Sequence, residues 1–303
     1  MTSNRFIQLN PEIEAALTTH RAVVALESTV IAHGLPRPQN LKTAQRLEQI
    51  VREEGSTPAT IAVLGGKLCA GLDAGQLELL ANSDDIKKLS TRDLAVAVAN
   101  EQNGATTVAS TMWIAHRAGI NVFATGGIGG VHRGSLPDVS ADLPELARTP
   151  MIVVCSGAKI VLDLPATREW LETHGITVVG YGCEEMPAFY SRQSGLPVDV
   201  RCDSPAEVTS LFRTQTDLGI NSALLVTVPV PETAEVPEEA LRRILDQSLL
   251  DAEQSNIGGR GLTPFLLARM SALSEGATLQ ANIALLENNA RVAAKIASEL
   301  SRA

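Results

Sequence analysis

The chain has 303 residues, 45% hydrophobic, 19% charged and 3% aromatic, with a formal net charge of −9. This describes a globular protein able to bury a sizeable core, and the acidic balance with so few aromatics excludes nucleic-acid binding, which needs a basic face or stacking platforms. No apolar run approaches the roughly 18–20 residues that span a bilayer, the first residues carry no signal or transit pattern, and Cys69, Cys155, Cys183 and Cys202 form no CxxC pair for a disulfide scaffold or zinc.

A cytoplasmic protein is therefore expected. Residues 21–26 read as a strand. Asn40 is placed to cap a helix over 41–54, where Leu41, Ala44, Leu47, Ile50 and Val51 share a face and Gly55 ends it. Residues 60–64 form the next strand, 108–118 a helix closed by Gly119, and 121–124 a strand running into the glycine-rich segment 125–130. Residues 151–155 read as a buried strand. Pro165 opens and Gly175 closes a helix before a strand over 176–180. A strand over 223–228, a helix over 237–254 and a helical tail over 263–270 and 279–300 complete the pattern. This alternation predicts an α/β/α layered fold with a central, mostly parallel or mixed sheet. With no repeat and no linker, residues 1–303 are expected to form one domain.

Several segments break the packing pattern. Glu27 ends an apolar strand, either capping a turn or pairing with a lysine, or serving as a general acid at a strand's carboxyl edge. The segment FATGGIGGVHRG, residues 123–134, is either a tight turn or a loop whose backbone N–H groups, from Thr125 through Gly127 and beyond, cradle a phosphate beside His132 and Arg133. Its glycine spacing fits neither the dinucleotide fingerprint nor a P-loop. Asp138 and Asp142 are candidate helix caps or ligands of a largely hydrated divalent cation. Lys159 follows an apolar strand through Ser156-Gly157-Ala158; it either snorkels to solvent or offers an amine for Schiff-base chemistry. Leu279, Asn282, Leu286 and Asn289 share one helical face, and its amides need backbone or ligand partners.

Taken together, the blocks ALESTVIAHGLPRPQN (25–40), KLSTRDL (88–94), GATTV (104–108), FATGGIGGVHRG (123–134), VSADL (139–143), VCSGAK (154–159) and TPFLLAR (263–269), with Asn282, resemble the pseudouridine-5′-phosphate glycosidases in order and over nearly the whole chain. The resemblance implies reversible cleavage of the C–C glycosidic bond of pseudouridine 5′-phosphate to uracil and ribose 5-phosphate. It also implies an α/β/α fold, a homotrimer and a divalent metal, usually Mn²⁺. By that resemblance Glu27 is the proton donor and Lys159 the nucleophile. Lys88, Val108, Ser140, Ala141 and Asp142 contact substrate, Asp138 holds the metal, and His132 and Asn282 line the site. The segment 134–137 is shorter than in the family, Arg260 stands where lysine is common, and Ser156 where alanine is common. Two rival readings are an aldolase-like Schiff-base lyase, which shares Lys159 but needs no uracil recognition, and a nucleotide sensor without turnover, which needs neither Glu27 nor Lys159.

Overall fold

The computed structural model describes residues 5–134, 138–255, 257 and 261–302. The first part runs β1 (Ile7–Leu9), α1 (Pro11–Thr18), β2 (Val23–Leu26), a π-helical turn (Val30–Gly34), α2 (Gln39–Glu53), β3 (Thr57–Leu64) and β4 (Lys67–Ala70). It continues with α3 (Ala74–Asn82), β5 (Lys87–Leu89), α4 (Thr91–Ala99), β6 (Gly104–Thr106) and α5 (Val108–Arg117). Next come β7 (Val122–Ala124), α6 (Asp142–Leu146), β8 (Ile152–Cys155), α7 (Leu164–Thr173), β9 (Thr177–Tyr181) and β10 (Val200–Cys202). The chain finishes with α8 (Pro205–Asp217), β11 (Leu224–Thr227), α9 (Glu238–Gln254), α10 (Leu262–Leu273) and α11 (Ala277–Ser301).

The sheet has the order β1-β4-β3-β2-β7-β8-β11-β9-β10, with β6 pairing β3 and β5 pairing β6. From β3 through β10 along that path every pairing is parallel, and only β3–β4 and β3–β6 are antiparallel. The sheet is thus mixed and mostly parallel, as the alternation of strand and helix patterns predicts. Strands β2, β7, β8 and β11 are buried at every position, because helices cover both faces of a parallel sheet and leave no polar side. Their Val, Leu, Ile and Phe side chains join those of α5 and α11 in one large core.

The predicted elements are present, with ends that coincide or are displaced by up to three residues. Strands β1, β4, β5, β6 and β10 were not predicted; each has only three or four residues, too few to show a period of two. Asn40 is a correction. It lies inside α2, whose capping residue is Pro38. Its buried side-chain amide instead donates to the carbonyls of Ile31 and Ala81, both at 2.9 Å, tying α2 to the π-helical turn and α3.

Three adjacent parallel strands, β2, β7 and β8, end at the same edge of the sheet. Glu27 follows β2, the glycine-rich segment follows β7, and Ser156 to Lys159 follow β8. Open α/β sheets place their sites at this carboxyl edge, where the strands leave a crevice.

Candidate active site

The three strand ends are stitched together by main-chain hydrogen bonds. The Ser156 N–H donates to the Gly126 carbonyl at 2.8 Å, Ile128 N–H to Gly157 O at 3.0 Å, and Lys159 N–H to Ile128 O at 3.1 Å. The segment carrying Lys159 therefore pairs with the glycine-rich segment like an extra piece of sheet. Gly157 has φ +78°, and a Cβ there would sit 2.0 Å from the Pro187 carbonyl oxygen, so only glycine permits this turn.

Glu27 accepts a hydrogen bond from the Thr125 hydroxyl. Burial raises its carboxyl above the usual carboxylate range, against the opposing pull of Lys159 and then of the Thr125 hydrogen bond. A carboxyl raised in this direction holds its proton more readily, which suits a general acid. Thr125 is held in turn by Asn289 of α11, whose Nδ2 donates to the Thr125 carbonyl at 2.9 Å and to Ser156 Oγ at 3.1 Å.

Asp142 is 6% exposed and closes the other wall. Its Oδ1 accepts from Ala109 N–H at 2.9 Å in the first turn of α5, and its Oδ2 from Gly129 N–H at 2.8 Å. The carboxylate thus caps a helix other than its own, α5, where the positive end of the helix dipole favours it. Gly129 has no room for a side chain, since a Cβ would lie 2.2 Å from Ser140 Oγ.

These walls enclose two joined compartments that share Glu27, Thr29, Lys88, Lys159 and Thr263. The wider, polar one has a volume of about 360 Å³ and adds Arg92, Val108, His132, Asp138, Ser140 and Ala141 with the flank of Asp142. Lys88 and Arg92 bring positive charge to this compartment within an acidic chain. The narrower compartment is mostly apolar, walled by Val30, Phe189, Leu267 and Leu286, with His33 and Asn282 as polar groups.

The predicted site residues Glu27, Lys159, Lys88, Val108, His132, Asp138, Ser140, Ala141 and Asp142 converge on the polar compartment, and Gly127 and Asn282 on the apolar one. Thr125 is 1% exposed and lines neither; its hydroxyl reaches the site through Glu27. In the glycine-rich segment, the N–H groups of Ile128 and Gly129 are engaged within the protein. Gly127 is small so that Phe189 can pack on it, since a Cβ would meet that ring at 2.7 Å. Arg133 turns away, its Nε donating to Leu162 O at 3.1 Å. The segment 134–137 lies largely, and Arg260 wholly, outside the described residues. The expected pair of amides on α11 divides its work: Asn289 binds backbone and Asn282 faces the apolar compartment.

Among the described residues, no group of three or more His, Cys, Asp and Glu side chains converges on a metal position. Asp142 has both oxygens taken, whereas Asp138 is exposed on the wall of the polar compartment. One exposed carboxylate on a polar wall fits a hard, largely hydrated cation such as Mg²⁺ or Mn²⁺, and no closed protein cage.

Sequence reasoning did not single out His33, Arg92 or Phe189. His33 lies within the block 25–40, but its use depends on the π-helical turn. Phe189 carries no local signal: it sits in a loop with φ +62° and reaches the site only through tertiary packing.

Residues 12–299 match the family model described as indigoidine synthase A like protein. The chain is 50% identical over 301 residues to a pseudouridine-5′-phosphate glycosidase of Caldanaerobacter subterraneus subsp. tengcongensis, covering 99% of this chain and 98% of the relative. It is 51% identical over 299 residues to one of Paracoccus denitrificans, covering 97% and 98%. Among solved structures, the prealnumycin C-glycosynthase AlnA in complex with ribulose 5-phosphate superposes with a TM-score of 0.91 at 37% identity, covering 99% of this chain and 98% of that one. An indigoidine synthase A-like protein from Thermotoga maritima gives 0.90 at 38% identity, covering 98% and 97%.

Proposed function

The chain belongs to the indigoidine synthase A-like family, alongside its pseudouridine-5′-phosphate glycosidases, and we propose that it carries out their reaction through an imine on Lys159. The overall change is reversible cleavage of the C1′–C5 bond of pseudouridine 5′-phosphate, with water, to uracil and ribose 5-phosphate. The observation that carries this reading is the meeting of Glu27 and Lys159, from the ends of β2 and β8, across a pocket that divides into a polar and an apolar compartment.

A C–C glycosidic bond offers no nitrogen leaving group, so protonating the base alone does not release it. Glu27, whose carboxyl is raised by burial, delivers a proton to the ribose ring oxygen as the C1′–O4′ bonding pair moves onto that oxygen. The Lys159 amine adds at C1′ and forms a C–N bond. The C1′–C5 pair then passes to C5, which takes a proton, while the nitrogen lone pair closes the C=N bond. Water hydrolyses the imine, returning the lysine and releasing the sugar aldehyde.

The polar compartment suits the phosphate end of the substrate. Lys88 and Arg92 supply binding energy remote from the reacting bond. Asp138 would hold a Mn²⁺ ion through one carboxylate oxygen, and that ion supplies neutralisation of phosphate charge. Assembly as a homotrimer and a cytoplasmic location belong to the same reading; among the described residues no helix is long and apolar enough to cross a membrane. Light scattering of the purified protein tests the trimer.

Incubation with pseudouridine 5′-phosphate and Mn²⁺ tests the reaction by release of free uracil. An aldolase-like lyase or a sensor without turnover would release none.

A further inference from the structure

The apolar compartment contains a polar group that the reaction above does not use. His33 lies on the π-helical turn Val30–Gly34, directly after the strand end that carries Glu27. Isolated π-helical turns are rare and recur at functional sites, because the wider turn re-aims a side chain that an α-helix would direct elsewhere. Here it brings His33 to the wall of the compartment. Its Nε2 is buried and has no hydrogen-bond partner among the described residues. Buried ring nitrogens are normally bonded, and one left open beside a cavity points to a ligand atom as its partner.

The surroundings define that partner. Burial and then the charge of Lys88 push the imidazole below its ordinary value, against a hydrogen bond that the ring donates to the Lys87 backbone. The ring is therefore neutral at neutral pH, with one donor and one acceptor nitrogen. Since Nε2 is unbonded, the Lys87 backbone bond falls on Nδ1 as donor, which leaves Nε2 as the acceptor. The ring walls are Phe189, Leu267 and Leu286, flat or apolar surfaces for the faces of a planar heterocycle, and Asn282 adds an amide on the same cavity. Phe189 holds a left-handed backbone, φ +62°, and its ring rests on the Gly127 backbone, so this wall is pre-formed.

We propose that His33 is a specificity-determining residue for the leaving base, with Nε2 accepting a hydrogen bond from a ring N–H of uracil while the apolar walls hold its faces. The inference rests on the reaction proposed above and adds the element that reads the base. Pseudouridine keeps both ring N–H groups free because its sugar is bonded to carbon. An acceptor nitrogen in this compartment selects for that edge.

Calorimetric titration of the wild-type protein and its His33→Ala variant with uracil and, separately, ribose 5-phosphate tests the proposal. Loss of one neutral hydrogen bond predicts that uracil binds about tenfold more weakly to the variant. Ribose 5-phosphate affinity is expected to stay within about twofold, since its pocket lies across Glu27 and Lys159. His33→Gln, which keeps an acceptor oxygen near the Nε2 position, is expected to recover part of the loss. N-methylated uracils extend the comparison: methylation at the recognised N–H should weaken binding to wild type and leave the alanine variant indifferent. Unchanged uracil affinity in the variant, or an equal fall for both ligands, overturns the assignment. Should the alanine variant not fold, His33→Phe keeps the ring without its nitrogens and carries the same comparison. A wild-type protein that releases no uracil from pseudouridine 5′-phosphate would overturn the reaction itself, a different outcome from turnover with a uracil-blind His33.

Discussion

The side-chain amide of Asn289 donates to the main-chain carbonyl of Thr125 at 2.9 Å, across 164 residues of sequence. Thr125 in turn donates its hydroxyl to Glu27, so the long helix α11 fixes the position of Glu27 through one intermediate residue. Asn289→Ala leaves the Thr125 carbonyl and the Ser156 hydroxyl without this donor in a fully buried place. Stability is expected to fall by about 2–3 kcal/mol, read by denaturant unfolding. In the folded fraction kcat should drop more than KM rises, because Glu27 loses its fixed hydrogen bond. A change confined to stability would reduce Asn289 to a packing role.

Glu27 makes a pH-dependent prediction with a definite sign. Its carboxyl is raised by burial, so the folded protein keeps a proton that the unfolded chain gives up once pH passes the ordinary carboxylate value. That preference is a stability cost that grows as pH rises through the raised value. Glu27→Gln removes the cost, and its melting temperature should exceed that of wild type by a margin that widens as pH rises above the ordinary carboxylate value. The same substitution should abolish turnover while substrate binding persists, because an amide keeps the shape and holds no transferable proton. A margin that narrows with rising pH would show that Glu27 is folded as the anion.

Lys159 should be trapped as an imine. Borohydride added during turnover is expected to attach a ribose phosphate mass to the peptide carrying Lys159. Lys159→Ala should lose both label and turnover while its unfolding curve stays close to wild type. Label on another lysine would move the nucleophile elsewhere.

Asp138 and Asp142 separate by their hydrogen bonds. Asp138 is exposed in the polar compartment, and Asp138→Ala should raise the Mn²⁺ concentration needed for half activity, with excess metal restoring turnover. Asp142 has both oxygens bound to backbone N–H groups. Asp142→Ala should instead cost about 3 kcal/mol or more of stability, since two amides lose a charged acceptor, and no metal concentration should rescue it. Metal rescue of the Asp142 variant would exchange the two roles.

Lys88 is expected to set the preference for a phosphorylated substrate. A charge-assisted hydrogen bond contributes roughly 1.5–3 kcal/mol, so Lys88→Ala should lower kcat/KM for pseudouridine 5′-phosphate by about one to two orders of magnitude. The bare nucleoside, expected to be a very poor substrate of wild type, should change far less. Comparable losses on both substrates would place Lys88 at the reacting bond.

The sequence by itself made legible the central strands of the sheet, its mostly parallel class and the charged residues at the strand ends. The runs at β2, β7, β8 and β11 are apolar but for Thr227, as strands buried on both faces must nearly be, and Glu27 and Lys159 stand out as charged residues just past the ends of β2 and β8. The family blocks named the chemistry because several matched in order. What the tertiary structure alone decided is which side chains those ends hold in place. Asn40 carries the composition of a helix cap, yet it bridges two carbonyls from within a helix, because its partners come from elements near residues 31 and 81. Asp142 resembles a cap of its own helix and caps α5 instead. The glycine-rich segment suggests a phosphate cradle, but Gly127, Gly129 and Gly130 are small chiefly because Phe189, Ser140 and Thr167 press against them. His33 shows an open nitrogen only once a π-helical turn and α10 and α11 enclose it. Local sequence records burial and charge, which are properties of one residue. Hydrogen-bond partners are properties of two residues, and here the second lay up to 164 positions away.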